Sequence, residues 1–535
     1  MTARRTRPNV LIIHAHDLGR HSSVYGHGID TPALQRFAGT ATVFSNAWTT
    51  TPTCSPSRAS LLTGRYPHET GMLGLAHLGF ALERTDLHLS RRLRDEGYRT
   101  ILSGVQHEVP DHRQLSYDAV VGGDPHAPYA PGFDPTQWDD GNARAVAAFL
   151  RSEEFYADGA GDRAPRSGGT VARAVPSGGA PSGTGASRDR PWFLFLGLFE
   201  PHRPFGDDDG AIDDRGVPAG LPDAPEIRRE YAAFRRAVTR TDARIGTVLA
   251  ALEETGLNEE TVVVVTSDHG IDFPRYKCTL SPGGLGIHLL IRRPGQNGRI
   301  DTRVPVSNLD VVPTILELIG IDDRSGEVGG AGVGDAPWTA RSLAPLWDAP
   351  DQPVRSHLFA EMNYHVAYDP ARSVFDGRYH YVVHYETEMA VLPNIGDSTS
   401  KDLLFPDRTA GATPLSPLLI PPRRALYDLW FDPLQNTNLL NGMSAAARTP
   451  TSETAARTPM TATTKETAER LEDLLVQWQV ATGDPLLSGR VPAPAGASVA
   501  PRDAWSSTTA DTIGTGGEGE RETDTSTGTM RKESR

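Results

Sequence analysis

Cysteine and lysine are the residue types this chain nearly does without. Its 535 residues include two cysteines, Cys54 and Cys278. That number excludes a disulfide framework and leaves room for one bridge at most. Lysine occurs four times, at Lys277, Lys401, Lys465 and Lys532, and the other basic positions are arginine. Positive charge is not in excess either: 53 basic against 67 acidic residues give a formal net charge of −14. Nothing offers a basic stripe to phosphates, which excludes nucleic acid as a partner. Long apolar runs are missing too, so no segment spans a membrane as a helix and no membrane partner is expected. The first residues, MTARRTRPNVLIIHAHD, are basic and then apolar. Val10–Ile13 is too short for the apolar core of a signal peptide, and no small-residue cleavage site follows. The expectation is a cytoplasmic protein.

What is present is a large core. Hydrophobic residues make up 38% and charged residues 22%, the balance of a globular protein long enough for a large domain and one more. NVLIIHAHD, RPWFLFLGLFEPH and TVVVVTSDHG read as buried strands. TPALQRFAGTA reads as an amphipathic helix with Leu34, Phe37 and Ala38 on one face, and LHLSRRLRDEGYRTILSG as a helix followed by a strand near Thr100–Leu102. The stretch from Glu226 to Gly256 is a long helix by its spacing of three and four. Strands alternating with helices predict an α/β domain whose sheet is covered on both faces, over residues 7–350. Residues 158–189 are rich in Gly, Ser, Ala, Arg and Pro and are expected to be a disordered insertion. A second unit, 354–485, carries short antiparallel strands and a closing helix, KETAERLEDLLVQWQVATG. The Ser/Thr/Gly-rich remainder, 490–535, is expected to be a disordered tail.

One cysteine sits in TPTCSPSRASLLTG. Pro56 suits the first turn of a helix, because its missing N–H is not needed there. Cys54 therefore stands at a helix N-terminus, where backbone donors and the dipole favour anions. Arg58 lies one turn on and projects to the same side. This is the place for a nucleophile with an anion-binding partner, although most cysteines taken singly are small buried thiols that pack.

Cys-x-Pro-Ser-Arg followed by Leu-x-Thr-Gly resembles the signature of the formylglycine-dependent sulfatases, and CSPSRASLLTG agrees with it at each defining position. The resemblance implies an alkaline-phosphatase-like fold: a large mixed sheet flanked by helices, plus a smaller C-terminal domain with an antiparallel sheet. It implies hydrolysis of a sulfate ester or sulfamate, on a sugar. It implies that Cys54 is oxidised to formylglycine by a formylglycine-generating enzyme. One hydroxyl of the aldehyde hydrate then attacks sulfur, and the other later expels sulfate. A phosphonate or phosphate ester hydrolase of the same fold is the alternative, and a non-catalytic binder of sulfated ligands a more distant one.

The same resemblance places the other site residues. HAHDLG is similar to the family's metal-binding strand end, usually Asp-Asp, and offers His16 and Asp17. TSDHG offers the second pair, Asp268 and His269. With the residue-54 side chain these would hold one divalent metal. The family implies Ca2+, whereas two imidazoles suit Mn2+ or another transition metal. His14, on the same strand face as His16, reads as a supporting histidine. SGVQHE stands where the family shows Gly-Lys-x-His, so Gln106 takes the lysine's place among the substrate-binding residues and His107 the histidine's. FEPHRPF gives His202 as the acid for the leaving group. Lys277, a lone lysine in an arginine-rich chain, is the expected sulfate clamp, with Arg275 as the alternative. Cys278 reads as a bystander, though a Cys54–Cys278 bridge would block formylglycine formation. GMLGLAH and FAEMNYH resemble the N-sulfoglucosamine sulfohydrolase branch, which makes Glu361 and His365 candidates for selecting the sugar.

Overall fold

The computed structural model describes residues 7–129, 132–152, 190–206, 215–322, 336, 338–389, 391–405, 420–441, 462–506 and 511–512. Eight strands form the large sheet: β1 (Asn9–Ala15), β2 (Thr42–Phe44), β3 (Arg99–Gly104), β4 (Ala119–Val120), β5 (Trp192–Leu198), β6 (Thr261–Ser267), β7 (Leu289–Arg292) and β8 (Ile300–Thr302). Their order across the sheet is β4-β3-β5-β1-β6-β7-β2-β8. From β4 to β6 all neighbours are parallel. β7 runs against both β6 and β2, which makes the sheet mixed.

The near-continuous apolar runs of β1, β5 and β6 are buried along their whole length because both sheet faces are covered. Val10, Ile12, Phe193, Phe195, Val262 and Val264 point to one face. Leu11, Ile13, Leu194, Leu196, Val263 and Val265 point to the other, as the two-residue period of a strand requires. On the first face lies α2 (Cys54–Thr63), through Leu61 and Leu62. The second face is covered by α1 (Pro32–Ala38), α3 (Pro135–Arg151) and α4 (Pro225–Glu254). β3 and β5 approach so closely at their C-terminal ends that a Cβ at Gly104 would lie 2.0 Å from the Gly197 carbonyl oxygen.

Four antiparallel strands, β9 (Leu358–Tyr364), β10 (Tyr368–Phe375), β11 (Tyr379–His384) and β12 (Arg424–Asp428), form the second sheet in sequential order. One face carries Phe359, Val374, Tyr381 and Leu426 against Leu471, Leu475 and Trp478 of α5 (Ala462–Thr482). The opposite face brings Leu358, Met362, Phe375 and Val382 against Trp48, Leu280 and Leu285 of the large domain. Trp48 and Phe375 stack with ring centroids 4.7 Å apart. The small domain is thus fixed to the large one by core-like packing.

The tail corrects the sequence-based expectation. Disorder was expected from residue 490, yet Val491, Ala497 and Ala500 are buried. Few apolar residues suffice here because the segment lies against an existing apolar surface formed by Ala76, Phe80, Tyr364 and Tyr368. The Ala500 N–H donates to the Val366 carbonyl, and the Val491 N–H to the Tyr368 hydroxyl. The expected insertion at 158–189 and residues 513–535 lie outside the described residues. Among the described residues no helix is long and apolar enough to cross a membrane.

Candidate active site

The site stands at the C-terminal ends of the parallel strands. β1 and β6 are neighbours in a register that pairs Ala15 with Ser267. His16-Asp17 and Asp268-His269 therefore leave the sheet side by side. The Asp17 N–H donates to Asp268 Oδ1 at 2.9 Å, and the His269 N–H donates to the same oxygen at 2.9 Å. Asp17 has φ +47°, a left-handed conformation that a non-glycine residue adopts only when its surroundings enforce it. With Oδ1 satisfied by the backbone, Asp268 Oδ2 is buried without a hydrogen-bond partner. It lies 3.1 Å from His16 Nδ1 and 3.5 Å from Arg58 Nε. His269 Nδ1 is 2.9 Å from the Gly270 carbonyl oxygen. That oxygen can only accept, so Nδ1 carries the proton and Nε2 presents a lone pair. His269 Nε2 is 3.4 Å from Asp17 Oδ1 and 3.3 Å from Cys54 Sγ.

Cys54 is the first residue of α2, and every residue of that helix is buried. The helix is pinned under the site: Ser57 Oγ donates to the Asp268 carbonyl at 2.6 Å, and Asn308 Nδ2 to the Ser57 carbonyl at 3.1 Å. Burial pushes the Cys54 thiol up, more than the nearby Lys277 charge pulls it down. Both cysteines are free thiols; Cys278 packs beside Leu280 and donates its N–H to the Pro52 carbonyl.

Two cations face this corner. Arg58 is fully buried, with Nη1 donating to the Val105 carbonyl at 3.3 Å. Lys277 Nζ lies 2.9 Å and 3.2 Å from the Asp17 carboxylate oxygens. Burial alone would lower the Lys277 pKa, but the Asp17 charge outweighs it and the ammonium stays charged. Burial also works against Asp17, and there Lys277 prevails, holding the carboxyl well below its ordinary range.

The remaining candidates divide into residues that reach the site and residues that do not. His202 reaches it: its ring meets His16 edge-on at 5.0 Å, and Nε2 is 3.8 Å from Asp17 Oδ2. His107 follows β3 at φ +66°, with its ring 5.9 Å from that of His16. His365 is near enough for Lys277 and His269 to depress its pKa after burial has done so. His14 lies beneath the site on β1, buried against Phe195.

Gln106 and Glu361 are corrections. Gln106 Oε1 accepts the N–H groups of Glu108 and Val109, and its Nε2 donates to the Val109 carbonyl. Its amide oxygen and one amide N–H are thus engaged by its own loop, which turns it to holding that loop in place of the sulfate contact expected of it. The Glu361 carboxylate accepts from the His68 backbone N–H at 3.0 Å and pairs with the His68 ring, fully buried behind the site. Arg275 reaches outward to the carbonyls of Gly220 and Leu434.

Two residues escaped the sequence reading. His77 Nδ1 lies 3.0 Å from His107 Nε2, with the rings nearly parallel. Burial pushes its pKa down to about 4, so the pair is uncharged at neutral pH. Glu108 is buried with neither carboxylate oxygen hydrogen-bonded. Burial raises it to about 8 despite the opposing pull of Arg58. His77 lay within the noted stretch GMLGLAH, but nothing in its spacing distinguished it from a packing residue.

The residues fit a bound cation. His16, Asp17, Cys54 and His202, and likewise Asp17, Cys54, Asp268 and His269, bring their ligand atoms within 4.8 Å of one another, and Asp268 Oδ2 is a buried carboxylate oxygen that accepts no hydrogen bond.

Comparison with known proteins accords with this geometry. The chain is 29% identical over 527 residues to human N-sulphoglucosamine sulphohydrolase, covering 90% of this chain and 92% of that protein. It is 26% identical to human arylsulfatase A over 82% of this chain and 84% of the relative. Its fold, an alkaline-phosphatase-like one, resembles the crystal structure of a putative sulfatase from Bacteroides thetaiotaomicron, with TM-score 0.60 and 19% identity over 91% of this chain and 95% of the other. The sulfatase family model matches residues 8–321, and the chain belongs to the sulfatase family.

Proposed function

We propose that this sulfatase, a hydrolase of sulfuric esters, cleaves a sulfate ester or sulfamate on a small sugar, through a formylglycine hydrate made from Cys54 by a formylglycine-generating enzyme. The observation that carries the reading is the meeting of residue 54 with Arg58, Lys277 and two carboxylate-bearing strand ends in one buried corner.

His16, Asp17, Asp268 and His269 would hold a divalent metal, with residue 54 beside it. The metal supplies Lewis acidity and charge neutralisation for the sulfate. One hydroxyl of the residue-54 hydrate attacks sulfur. Arg58 neutralises charge at residue 54, and Lys277 orients the sulfuryl oxygens with donors set before the reaction begins. His202, at the mouth, gives its proton to the departing oxygen or nitrogen, while His107 and His77 border that side. Loss of a proton from the second hydroxyl re-forms the aldehyde and releases sulfate.

The similarity to a protein named N-sulphoglucosamine sulphohydrolase, over nine tenths of the chain, makes N-sulfated glucosamine the first substrate to assay. Three substrates compared in parallel test the proposal: glucosamine N-sulfate, an aryl sulfate and an aryl phosphonate. Sulfate release from either of the first two is expected. Turnover of the phosphonate alone would overturn it. Mass spectrometry of the tryptic peptide Phe37–Arg58 reads the Cys54 conversion directly.

A further inference from the structure

We infer that the ion held between the ends of β1 and β6 is a borderline first-row transition dication such as Zn2+ or Mn2+, and that His16 is the residue that turns the site away from calcium. The inference rests on the metal-dependent reading above and specifies its ion.

The donors decide it. Calcium takes six to eight oxygen ligands, whereas imidazole nitrogen suits transition ions. Here the two dipeptides supply two imidazoles and two carboxylates. The carboxylates have little oxygen left to offer. Asp268 Oδ1 already accepts two backbone N–H groups, and Asp17 Oδ2 already holds the Lys277 ammonium at 2.9 Å. Asp17 Oδ1 also accepts from Lys277, at the longer distance of 3.2 Å, so Asp268 Oδ2 and the less tightly held Asp17 Oδ1 are the oxygens turned toward the imidazoles. The other two donors are nitrogens, His16 Nδ1 and His269 Nε2. His16 Nδ1 lies 3.1 Å from Asp268 Oδ2 and 3.5 Å from Asp17 Oδ1. His269 Nε2 lies 3.4 Å from Asp17 Oδ1 and 3.8 Å from Asp268 Oδ2.

The four atoms thus form a closed ring in which every nitrogen has an oxygen on either side. His269 is set for this role by its Nδ1–H on the Gly270 carbonyl, the outer contact that fixes the ring orientation of a metal-binding histidine. A carboxylate oxygen in the ring that accepts no hydrogen bond, Asp268 Oδ2, is buried and aimed at His16. Two nitrogens and two oxygens, with the carboxylate charges already shared with Lys277 and Arg58, make a donor set for a transition ion and a poor one for calcium.

Chelator-stripped protein, titrated separately with ZnCl2, MnCl2 and CaCl2, tests this by thermal shift and calorimetry. Measurements use the wild type and Cys54→Ala, because an unconverted thiol would itself favour zinc. Both are made in a His126→Ala background, because Asp111, His112 and His126 form a separate group of close ligand atoms away from these strand ends. Wild type and Cys54→Ala are both expected to bind Zn2+ or Mn2+ at least about tenfold more tightly than Ca2+. His16→Asp should shift that ratio toward Ca2+ by about tenfold or more. The visible spectrum of the Co2+ form should change with His16→Asp, because a nitrogen ligand is lost.

Ca2+ binding more tightly than both other ions to the unmutated site would overturn the inference, whether or not the His16 variant folds. Because binding is read without turnover, the two readings fail separately. Selective Zn2+ or Mn2+ binding without sulfate release would refute the reaction and leave the metal assignment standing, and a calcium-selective active sulfatase would do the reverse.

Discussion

The Lys277 ammonium lies 2.9 Å from Asp17 Oδ2, while Arg275, two residues earlier, reaches away to the carbonyls of Gly220 and Leu434. One of two adjacent basic residues is thus inside the site and the other ties loops together outside it. Lys277→Ala should lower kcat/KM by about a hundredfold or more, the scale for losing a preset charge-assisted donor. Lys277→Arg should recover part of that, since charge is kept and shape is not. Arg275→Ala should stay within a few-fold of wild type. Steady-state kinetics on the three variants decide it, and a crippled Arg275→Ala beside an intact Lys277→Ala would reverse the assignment.

Cys54→Ala should abolish sulfate release with little change in melting temperature, because the deleted sulfur is small and α2 is held by Ser57 and Asn308 instead. Cys54→Ser should show at most one slow turnover, since a serine sulfo-ester has no second hydroxyl to expel sulfate. Retained steady-state activity in either variant would rule out the hydrate mechanism.

Glu108 gives a stability prediction with a defined sign. Its folded-state pKa, about 8, stands above the ordinary value of 4.5. Below the ordinary value both states are protonated and the group is neutral to stability. As pH rises from there the unfolded chain loses its proton first, so the folded state loses stability progressively until the folded pKa is passed. Glu108→Gln removes that titration. Melting temperatures of variant and wild type should nearly coincide at about pH 5 and separate in the variant's favour by about pH 8.5. A difference that does not vary with pH would show that the carboxyl is not the buried acid described.

His77→Ala should reduce kcat by about tenfold, the scale for removing an outer contact that orients a site residue. The cause is the 3.0 Å bond to His107 Nε2. His77→Asn, which keeps a hydrogen-bonding group, should recover part of the rate. Equal losses in both variants would mean that the ring acts by packing alone.

How much of this was legible in the sequence depended on whether a residue's role was local. The strands β1, β5 and β6 could be read from their apolar runs, and Cys54 and Arg58 from one turn of helix. Lys277 stood out through the scarcity of its type. Roles set by contacts distant in sequence were not legible. Glu361 looked like a sugar-binding acid until the fold brought His68 onto it, across 293 positions of chain. Gln106 failed differently. Its partners are two and three residues away, but the turn that joins them has no sequence mark of its own. The antiparallel β7 was also invisible, since strand direction leaves no trace in a four-residue run.

The packed segment at 490–506 changes where this protein can be cut. Its Ala497 backbone comes so near the turn carrying His77 that a Cβ at Gly79 would lie 2.9 Å from the Ala497 Cα. On its other side it is bonded to Val366, next to His365. A shortened enzyme ending at Gly489, beyond the Asp484 that pairs with buried Arg372, would keep both sheets, the signature and the strand-end side chains, yet two of its cleft histidines would have lost their backing. The composition of the chain invites trimming there; the packing of Val491, Ala497 and Ala500 makes that cut one through the wall of the cleft.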